Sequence, residues 1–205
     1  MDGAPTFASV LARRRMCRDF VPEPVPADVL DRVLAAAFRG PSAGNTHGLD
    51  LVVLDGPEHT TRHWDVTLPP ERRAAFPWPG LLRAPVLIEV IVDPDAYVER
   101  YAQPDKAHTG LGEGVEEWNV PYWFVDGGSA VMAMLMAAEA EGLGALFFGL
   151  FDHERAVLAG LGVPDERRGV GTIAVGWPRP GGRSPSRSAR SGRPDPTEHV
   201  RVAAW

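Results

Sequence analysis

The sequence predicts an α+β fold, and three observations carry this prediction. Helix-like and strand-like segments follow one another without the regular strand–helix–strand alternation of a parallel sheet. The segment Pro85–Val92 (PVLIEVIV) is apolar except for one Glu and rich in β-branched residues, as in a buried strand. The segment Ser129–Glu141 is apolar nearly all round and rich in Ala and Met, as in a buried helix. The chain has 205 residues, 44% of them hydrophobic, and no solenoid-type repeat, so we expect a single domain over 1–205.

Two helices are predicted near the N-terminus. Residues 7–15 favour a short helix that ends in a cluster of arginines. Apolar residues then fall at 29, 30, 33, 34, 37 and 38, the spacing of one helix face, which predicts a helix from about Ala27 to Arg39. Gly40-Pro41 ends it, because glycine favours helix C-termini and proline cannot continue a helix.

Shorter patterns predict the remaining elements. We expect 55–83 to be mostly loop with at most one helix, and 93–125 is too irregular to assign. Asp126 is a candidate N-cap for the helix at 129–141, which Gly142 and Gly144 terminate. The other predicted elements are strands at 51–54, 145–148 and 170–175, a helix at 152–159, and an extended basic C-terminal arm at about 178–205 with a last short segment at 198–202.

Charge and cysteine content exclude several classes of protein. The 21 Lys and Arg against 27 Asp and Glu give a net charge of −6, which disfavours a general nucleic-acid binder. Cys17 is the only cysteine, so an intramolecular disulfide is excluded, and no His/Cys cluster suggests a metal site. No apolar run reaches the length of a membrane span and the N-terminus does not resemble a signal peptide, so we expect a cytoplasmic protein that does not bind a membrane.

Arginines concentrate at the two ends of the chain. Residues 13–18 hold four Arg, and residues 179–193 hold five Arg and no acidic residue. Guanidinium groups spaced two to four residues apart at a helix end suit a phosphate, although a solvated basic helix end is the alternative. The loop at 41–45 offers short polar groups and a glycine that lets a ligand approach the backbone, or it is simply a turn.

These two segments resemble motifs of the nitroreductase family of flavin enzymes. The family pattern Arg-Arg-Ser-x-Arg-x-Phe is matched by Arg14-Arg15-Met16-Cys17-Arg18-Asp19-Phe20, with Met16 in place of Ser. The pattern Pro-Ser-x-x-Asn-x-Gln is matched by Pro41-Ser42-Ala43-Gly44-Asn45-Thr46-His47, with His47 in place of Gln. The helix at 129–141 with the turn at 147–152, and the ending at 175–193, also resemble the family, so the resemblance spans nearly the whole chain.

The resemblance implies a nitroreductase-like fold, with a central, mostly antiparallel sheet flanked by helices, in an intertwined homodimer that holds FMN at its interface. From one subunit it implies contacts with the phosphate, ribityl chain and pyrimidine edge by Arg14, Arg15 and Arg18, and by the backbone of Met16. From the partner it implies contacts with the ring by Pro41, Ser42, Ala43 and Asn45. It further implies a backbone N–H to flavin N5 from Phe148 and Gly149, and closure on the phosphate by Arg190 and Arg193.

The implied activity is that of an FMN-dependent oxidoreductase, which takes electrons from NAD(P)H or a deazaflavin and reduces a planar acceptor of nitroaromatic or quinone type. The flavin carries the redox step, so no catalytic side chain is required. Two alternatives stay open. The first is a flavin-consuming or biosynthetic tailoring dehydrogenase on the same fold. The second is a non-catalytic protein that binds an acidic partner through its Arg-rich tail.

Two features have two interpretations each. The aromatic residues Trp118, Tyr122 and Trp123 either line a substrate pocket over the flavin or plug an interface or the core. His47 is either a proton donor beside the flavin or a structural residue. Some family members touch the flavin pyrimidine with a polar pair located between the second motif and the second strand, and this sequence has no clear counterpart of that pair.

Overall fold

The computed structural model describes residues 5–183 and 192–203 and contains one antiparallel sheet of four strands. The spatial order of the strands is β1–β2–β4–β3, and each neighbouring pair is antiparallel. The strands are β1 (Leu49–Asp55), β2 (Val86–Val92), β3 (Gly144–Phe148) and β4 (Arg168–Gly176). The predicted α+β class and the antiparallel sheet are therefore confirmed.

Eight α-helices flank this sheet within the described ranges. They are α1 (Phe7–Arg13), α2 (Ala27–Ala36), α3 (Pro57–Thr67), α4 (Pro70–Arg73), α5 (Pro94–Tyr101), α6 (Tyr122–Ala140), α7 (Glu154–Gly160) and α8 (Pro196–His199). A 3₁₀ turn, Ala37–Arg39, continues α2 to the predicted end of that helix. None of the helices in the described part of the chain combines the length and apolar character that crossing a bilayer requires.

Strand β2 is the centre of the core. It lies between β1 and β4, and every one of its residues is buried. Alternate side chains of a strand point to opposite faces. Accordingly Ile88 joins the core shared with α2 and α6, and Leu87 joins a second core that includes Trp64 of α3. Burial on both faces explains why this segment is the clearest hydrophobic run in the sequence.

Two predictions about helices were wrong. Helix α6 begins at Tyr122, directly after Pro121, so Asp126 lies inside the helix and is not its N-cap. The region 55–83 contains two helices, α3 and α4, and the unassigned region 93–125 contains α5. The missed signal was a proline at the first helical position with an acidic residue next to it, as in Pro57-Glu58 and Pro94-Asp95.

Two adjacent glycines in α6 should respond in opposite ways to alanine. A Cβ at Gly127 would lie 2.6 Å from Cγ2 of Val170 and 3.0 Å from Cγ1 of Val92, whereas a Cβ at Gly128 would meet no atom within 4 Å. Both substitutions gain helix propensity, so Gly128→Ala should stabilise the protein by about 0.5–1 kcal/mol. Gly127→Ala should be less stable than Gly128→Ala by about 1–3 kcal/mol, because its methyl group overpacks the contact between helix and sheet. Urea unfolding of the two variants measures this difference, and equal stabilities would show that the contact between α6 and the sheet has room for a methyl group at Gly127.

Candidate functional site

The N-terminal arginine motif meets the first residues of the basic C-terminal end in space. The N–H of Arg18 donates to the carbonyl of Gly182 at 2.8 Å, and the N–H of Arg179 donates to the carbonyl of Asp19 at 3.0 Å. The start of the C-terminal arm therefore lies beside the N-terminal arginine motif. The structure does not describe residues 184–191, so Arg190 lies outside the described residues, and Arg193 is exposed.

A buried acid on α6 holds these ends together. Glu139 is 5% exposed and forms ion pairs with Arg183 at 3.0 Å and with Arg13 at 3.5 Å. Arg183 also donates to the carbonyl of Leu143 at 3.0 Å. An unpaired buried carboxylate is strongly unfavourable, so Glu139 requires these arginines. The ion pair also holds Arg183, a residue of the C-terminal arm, against α6. Sequence reasoning did not single out Glu139 or Arg183.

The guanidinium group of Arg14 is unsatisfied within the described part of the chain. Its side chain is half-buried, and its Nε and Nη1 atoms are buried without a hydrogen-bond partner among the described residues. Arg15, by contrast, donates to the carbonyls of Ala12 and Arg14, and Met16 bridges to Ala145 on β3 through its backbone. A buried guanidinium normally has an anionic or carbonyl partner, so the unpaired nitrogens of Arg14 fit an anion such as a phosphate group.

A cavity of about 370 Å³ opens beside β3. Its wall includes Arg18, Phe148 and Gly149, which the sequence motifs had indicated separately, and also Trp64 and Trp78. The guanidinium carbon of Arg18 lies 5.7 Å from the centre of the Trp78 ring. The size and the mostly apolar, aromatic lining are typical of a site for a planar small molecule.

A buried polar array lies behind the cavity wall, to which it contributes His63. His63 Nδ1 lies 2.7 Å from Glu89 Oε1, and the hydroxyl of Thr172 donates to Glu89 Oε2 at 2.7 Å. All three residues are 0% exposed. His63 Nε2 and Trp64 Nε1 are buried and have no hydrogen-bond partner within 5–183 and 192–203. Sequence reasoning missed this array, although the single Glu inside the otherwise apolar β2 run was a signal for it.

The loop at 41–47 lies away from the cavity of its own chain, since none of the described residues that line the cavity comes from this loop. The loop is fixed by the N–H of Ala43, which donates to Asp126 at 2.9 Å, and by Ser42 Oγ, which accepts from the N–H of His47. The ring of His47 is hydrogen-bonded to Asn45 at 2.8 Å. This local contact favours the structural interpretation of His47. Pro41 is exposed at the start of the loop.

Three of the four described non-glycine residues with positive φ lie at the predicted flavin contacts or within two residues of them. They are Asn45 at 57°, His47 at 55° and Phe151 at 47°. Phe151 is also 86% exposed, and its ring lies against Gly149. Such conformations cost about 1–3 kcal/mol each and cluster at functional sites. The strain therefore points to the same two loops as the sequence motifs.

The aromatic residues that were predicted to line a substrate pocket differ in how far they are buried. Trp118 and Trp123 are each 7% exposed, lie 5.8 Å apart between ring centres and pack with Tyr97, whereas Tyr122 is 45% exposed. The indole N–H of Trp118 donates to the carbonyl of Leu111 at 2.9 Å. In one copy of the chain this arrangement favours the core interpretation for the two tryptophans and leaves Tyr122 available at the surface.

Asp126 should be important for the position of the 41–47 loop. Its carboxylate accepts hydrogen bonds from the N–H of Ala43 and, at 2.7 Å, from the hydroxyl of Tyr97. Burial, with a smaller contribution from this carboxylate, raises the pKa of Tyr97 well above its usual range, so the hydroxyl stays protonated and donates. Asp126→Ala should lower the free energy of unfolding by about 1–3 kcal/mol, because both donors lose their acceptor.

The matched control is Asp126→Asn, which keeps one acceptor oxygen and should cost less. Amide hydrogen exchange of residues 43–47 should accelerate in the Ala variant more than in the Asn variant. Equal exchange rates in both variants and the wild type would show that Asp126 does not hold the loop.

No group of three or more His, Cys, Asp or Glu in the described residues is arranged to bind a metal ion. The single thiol, Cys17, is fully buried. Burial raises the pKa of this thiol, so it remains protonated and unreactive near neutral pH. Within the described part of the chain the site thus offers cationic, aromatic and backbone groups for holding a ligand.

Comparisons with known proteins match these features. The family model described as nitroreductase family matches residues 11–177. A 5,6-dimethylbenzimidazole synthase from Rhodospirillum rubrum is 31% identical over 179 residues, covering 81% of this chain and 79% of that protein. An NADH dehydrogenase from Thermus thermophilus is 28% identical over 186 residues, covering 81% and 83%. A solved structure from Desulfovibrio desulfuricans, described as a nitroreductase in complex with FMN, superposes with a TM-score of 0.70 at 21% identity and covers 99% of both chains.

Proposed function

Because the chain belongs to the nitroreductase family and is therefore an oxidoreductase, we propose that it binds FMN and transfers electrons from a reduced nicotinamide or deazaflavin to a planar acceptor of nitroaromatic or quinone type. Bound FMN supplies the redox chemistry, accepting electrons from the donor and passing them to the acceptor. The work of the protein is to bind and orient the reactants and to exclude water.

One observation carries this proposal. Arg18 and the Phe148–Gly149 backbone, which are 130 or more residues apart in the sequence, line the same aromatic cavity. A cation, flat aromatic surfaces and main-chain groups are what a flavin ring and its polar edge require. The unpaired buried nitrogens of Arg14 supply the further charge that a phosphate monoester requires.

The residues have distinct proposed roles. Arg14 binds the phosphate, and the start of the C-terminal arm at 179–183 pairs with residues 18 and 19 beside it. Arg193 is proposed to close on the same phosphate. Arg18 faces the polar edge of the ring, stacked on Trp78. Gly149 offers its backbone to the ring, and Phe151, exposed and strained, forms the rim through which an acceptor enters.

A homodimer completes the proposed site. The 41–47 loop lies away from the cavity of its own chain, which supports its contribution to the site of a partner. Helix α6 exposes Tyr122, Val125 and Met132 at helical spacing, each 39–49% exposed. A stripe of large apolar side chains on a long central helix is typical of a protein interface. We therefore propose that α6 packs against a second copy.

The relatives support two candidates for the activity. The similarity to an NADH dehydrogenase supports a nicotinamide-dependent reductase. The 31% identity to a 5,6-dimethylbenzimidazole synthase supports, as a second candidate, a biosynthetic enzyme on the same fold. Both candidates are oxidoreductases, which disfavours the hypothesis of a non-catalytic binding protein.

Spectroscopy of the purified protein tests the proposal. The protein should show the visible flavin bands, which should bleach anaerobically with one of NADH, NADPH or a reduced deazaflavin and return when a quinone or nitroaromatic compound is added. Protein that is colourless and does not bind added FMN would refute the proposal. Chromatography of the flavin after aerobic incubation of the reduced protein separates the candidates, since a reductase leaves FMN intact and a flavin-consuming enzyme produces fragments.

A further inference from the structure

Arg100, near the end of α5, contacts two separate parts of the chain with its guanidinium group. Its Nε–H donates to the carbonyl of Gly44 in the 41–47 loop at 2.8 Å. Its Nη1 and Nη2 atoms donate to the two carboxylate oxygens of Asp105 at 2.9 and 2.8 Å, and Nη1 also donates to Gln103 Oε1 at 3.2 Å. A guanidinium group is planar and its donors point in fixed directions, so Arg100 sets the position of Asp105 relative to Gly44. Sequence reasoning did not single out either charged residue.

The next residue, Tyr101, strengthens the same connection. A Cβ at Gly44 would lie 2.6 Å from Cε2 of Tyr101, so the tyrosine ring lies directly against the loop. The centre of this ring is 4.7 Å from the ring centre of Trp118 and 5.5 Å from the ammonium nitrogen of Lys106. Both residues belong to the segment 102–121, which joins α5 to α6. Two consecutive residues of α5 therefore hold this segment against the loop.

The position of the 102–121 segment matters because of the role proposed for the 41–47 loop. The loop lies away from the cavity of its own chain, and we assign it to the flavin ring in the cavity of a partner. The attached segment approaches the same ring, and Tyr122, 45% exposed directly after it, lies 6.2 Å from Trp118 between ring centres. A planar acceptor must lie against the flavin ring to take electrons from it. The segment is thus placed to form a wall of the acceptor site.

We propose that Arg100 is a positioning residue for the acceptor, which through its pair with Asp105 holds the 102–121 segment of one subunit beside the flavin ring of the other. This inference rests on the proposed function and on the proposed homodimer. Arg100 itself touches neither the flavin nor the acceptor. Its two contacts have separate effects, since the hydrogen bond to Gly44 orients the loop on the flavin and the pair with Asp105 orients the segment on the acceptor.

Asp105→Ala tests the inference, because it removes the ion pair and leaves the hydrogen bond from Arg100 to Gly44 in place. Asp105 is 59% exposed, so the variant should fold. Stopped-flow reoxidation of the reduced holoprotein gives the Kd for a planar acceptor, naphthoquinone or nitrobenzene. This Kd should rise about 3- to 5-fold, as expected when an exposed ion pair no longer holds the binding-competent position. The Kd for FMN, the visible spectrum of bound FMN and the rate of reoxidation by dioxygen should not change, because dioxygen does not require a wall formed by the segment.

Two further variants give the contrast and the control. Arg100→Gln removes both contacts and should raise the Kd for the acceptor and the Kd for FMN together, by about 10-fold each, because the carbonyl of Gly44 also loses its charged donor. Glu99→Ala is the matched control, since Glu99 is exposed on the same helix and its side chain forms no hydrogen bond or ion pair with the described residues. It should leave both Kd values unchanged.

The inference and the proposed function fail through different outcomes. If Asp105→Ala leaves the Kd for the acceptor unchanged in a protein that binds FMN and reduces the acceptor, the inference fails and the proposed function stands. If Asp105→Ala weakens FMN as much as the acceptor, the pair only stabilises the loop, and the inference also fails. A wild type that holds FMN as a monomer refutes the inference too, because the segment then has no second flavin to approach. A wild type that binds no FMN refutes the proposed function, and the inference with it.

Discussion

Replacing both Arg14 and Arg18 with glutamine should release FMN from a chain that remains folded. Each charge-assisted hydrogen bond contributes about 1.5–3 kcal/mol, so losing both should raise the Kd for FMN by at least about 100-fold. Fluorescence titration of the apoprotein with FMN measures this change. The effect on riboflavin should be smaller, because riboflavin lacks the phosphate that Arg14 binds.

The free energy of unfolding of the apoprotein distinguishes this prediction from the effect of an ordinary destabilising mutation, which would lower that free energy. Arg14 has two buried guanidinium nitrogens without partners in the described chain. Removing an uncompensated buried charge is neutral or stabilising, so the free energy of unfolding of the Arg14→Gln apoprotein should be equal to or higher than that of the wild type.

Arg72→Gln is the matched control, since Arg72 is exposed on α4 and does not line the cavity. It should leave FMN affinity unchanged. Wild-type affinity in the Arg14 and Arg18 double variant would show that these guanidinium groups do not bind the cofactor. A large loss of apoprotein stability would show instead that Arg14 has a structural role.

Introducing glutamate at both Val125 and Met132 should convert the protein to a monomer that no longer retains FMN. The two side chains are 49% and 39% exposed and lie on one face of α6. Two carboxylates on each copy would be desolvated and would repel their counterparts across a two-fold interface, which costs several kcal/mol. Sedimentation velocity should show the wild type as a dimer and the variant as a monomer at the same concentration.

The loss of FMN in this variant is the informative part, because all residues that line the cavity in one copy remain intact. If the 41–47 loop of the partner forms part of the site, a monomer lacks it, and the flavin should dissociate during gel filtration. Ala156→Glu, on the exposed surface of α7, is the control and should leave both mass and flavin content unchanged. A monomer that keeps its flavin would show that one chain holds the whole site.

Local pattern predicted the elements whose burial is uniform or periodic. Helix α2 with its 3₁₀ extension ends at Arg39 as predicted, and β2, β3 and β4 match their predicted segments to within two residues. The start of α6 was missed by seven residues, because Asp126 was taken as the N-cap of a helix at 129–141. In the fold, Gly127 is required by the close approach of Val170.

The amino-acid sequence by itself determined the class of fold, the family resemblance that the family model confirms, and the concentration of positive charge at the two ends. These depend on residue type and spacing along the chain. Only the tertiary structure decided that Asp126 anchors a loop, that Arg14 is unpaired among the described residues, and that His63 meets Glu89. Such pairings join residues 26 to 83 positions apart. The single Glu in the apolar β2 run indicates that a buried partner is needed, but strand register and helix packing decide which residue that partner is.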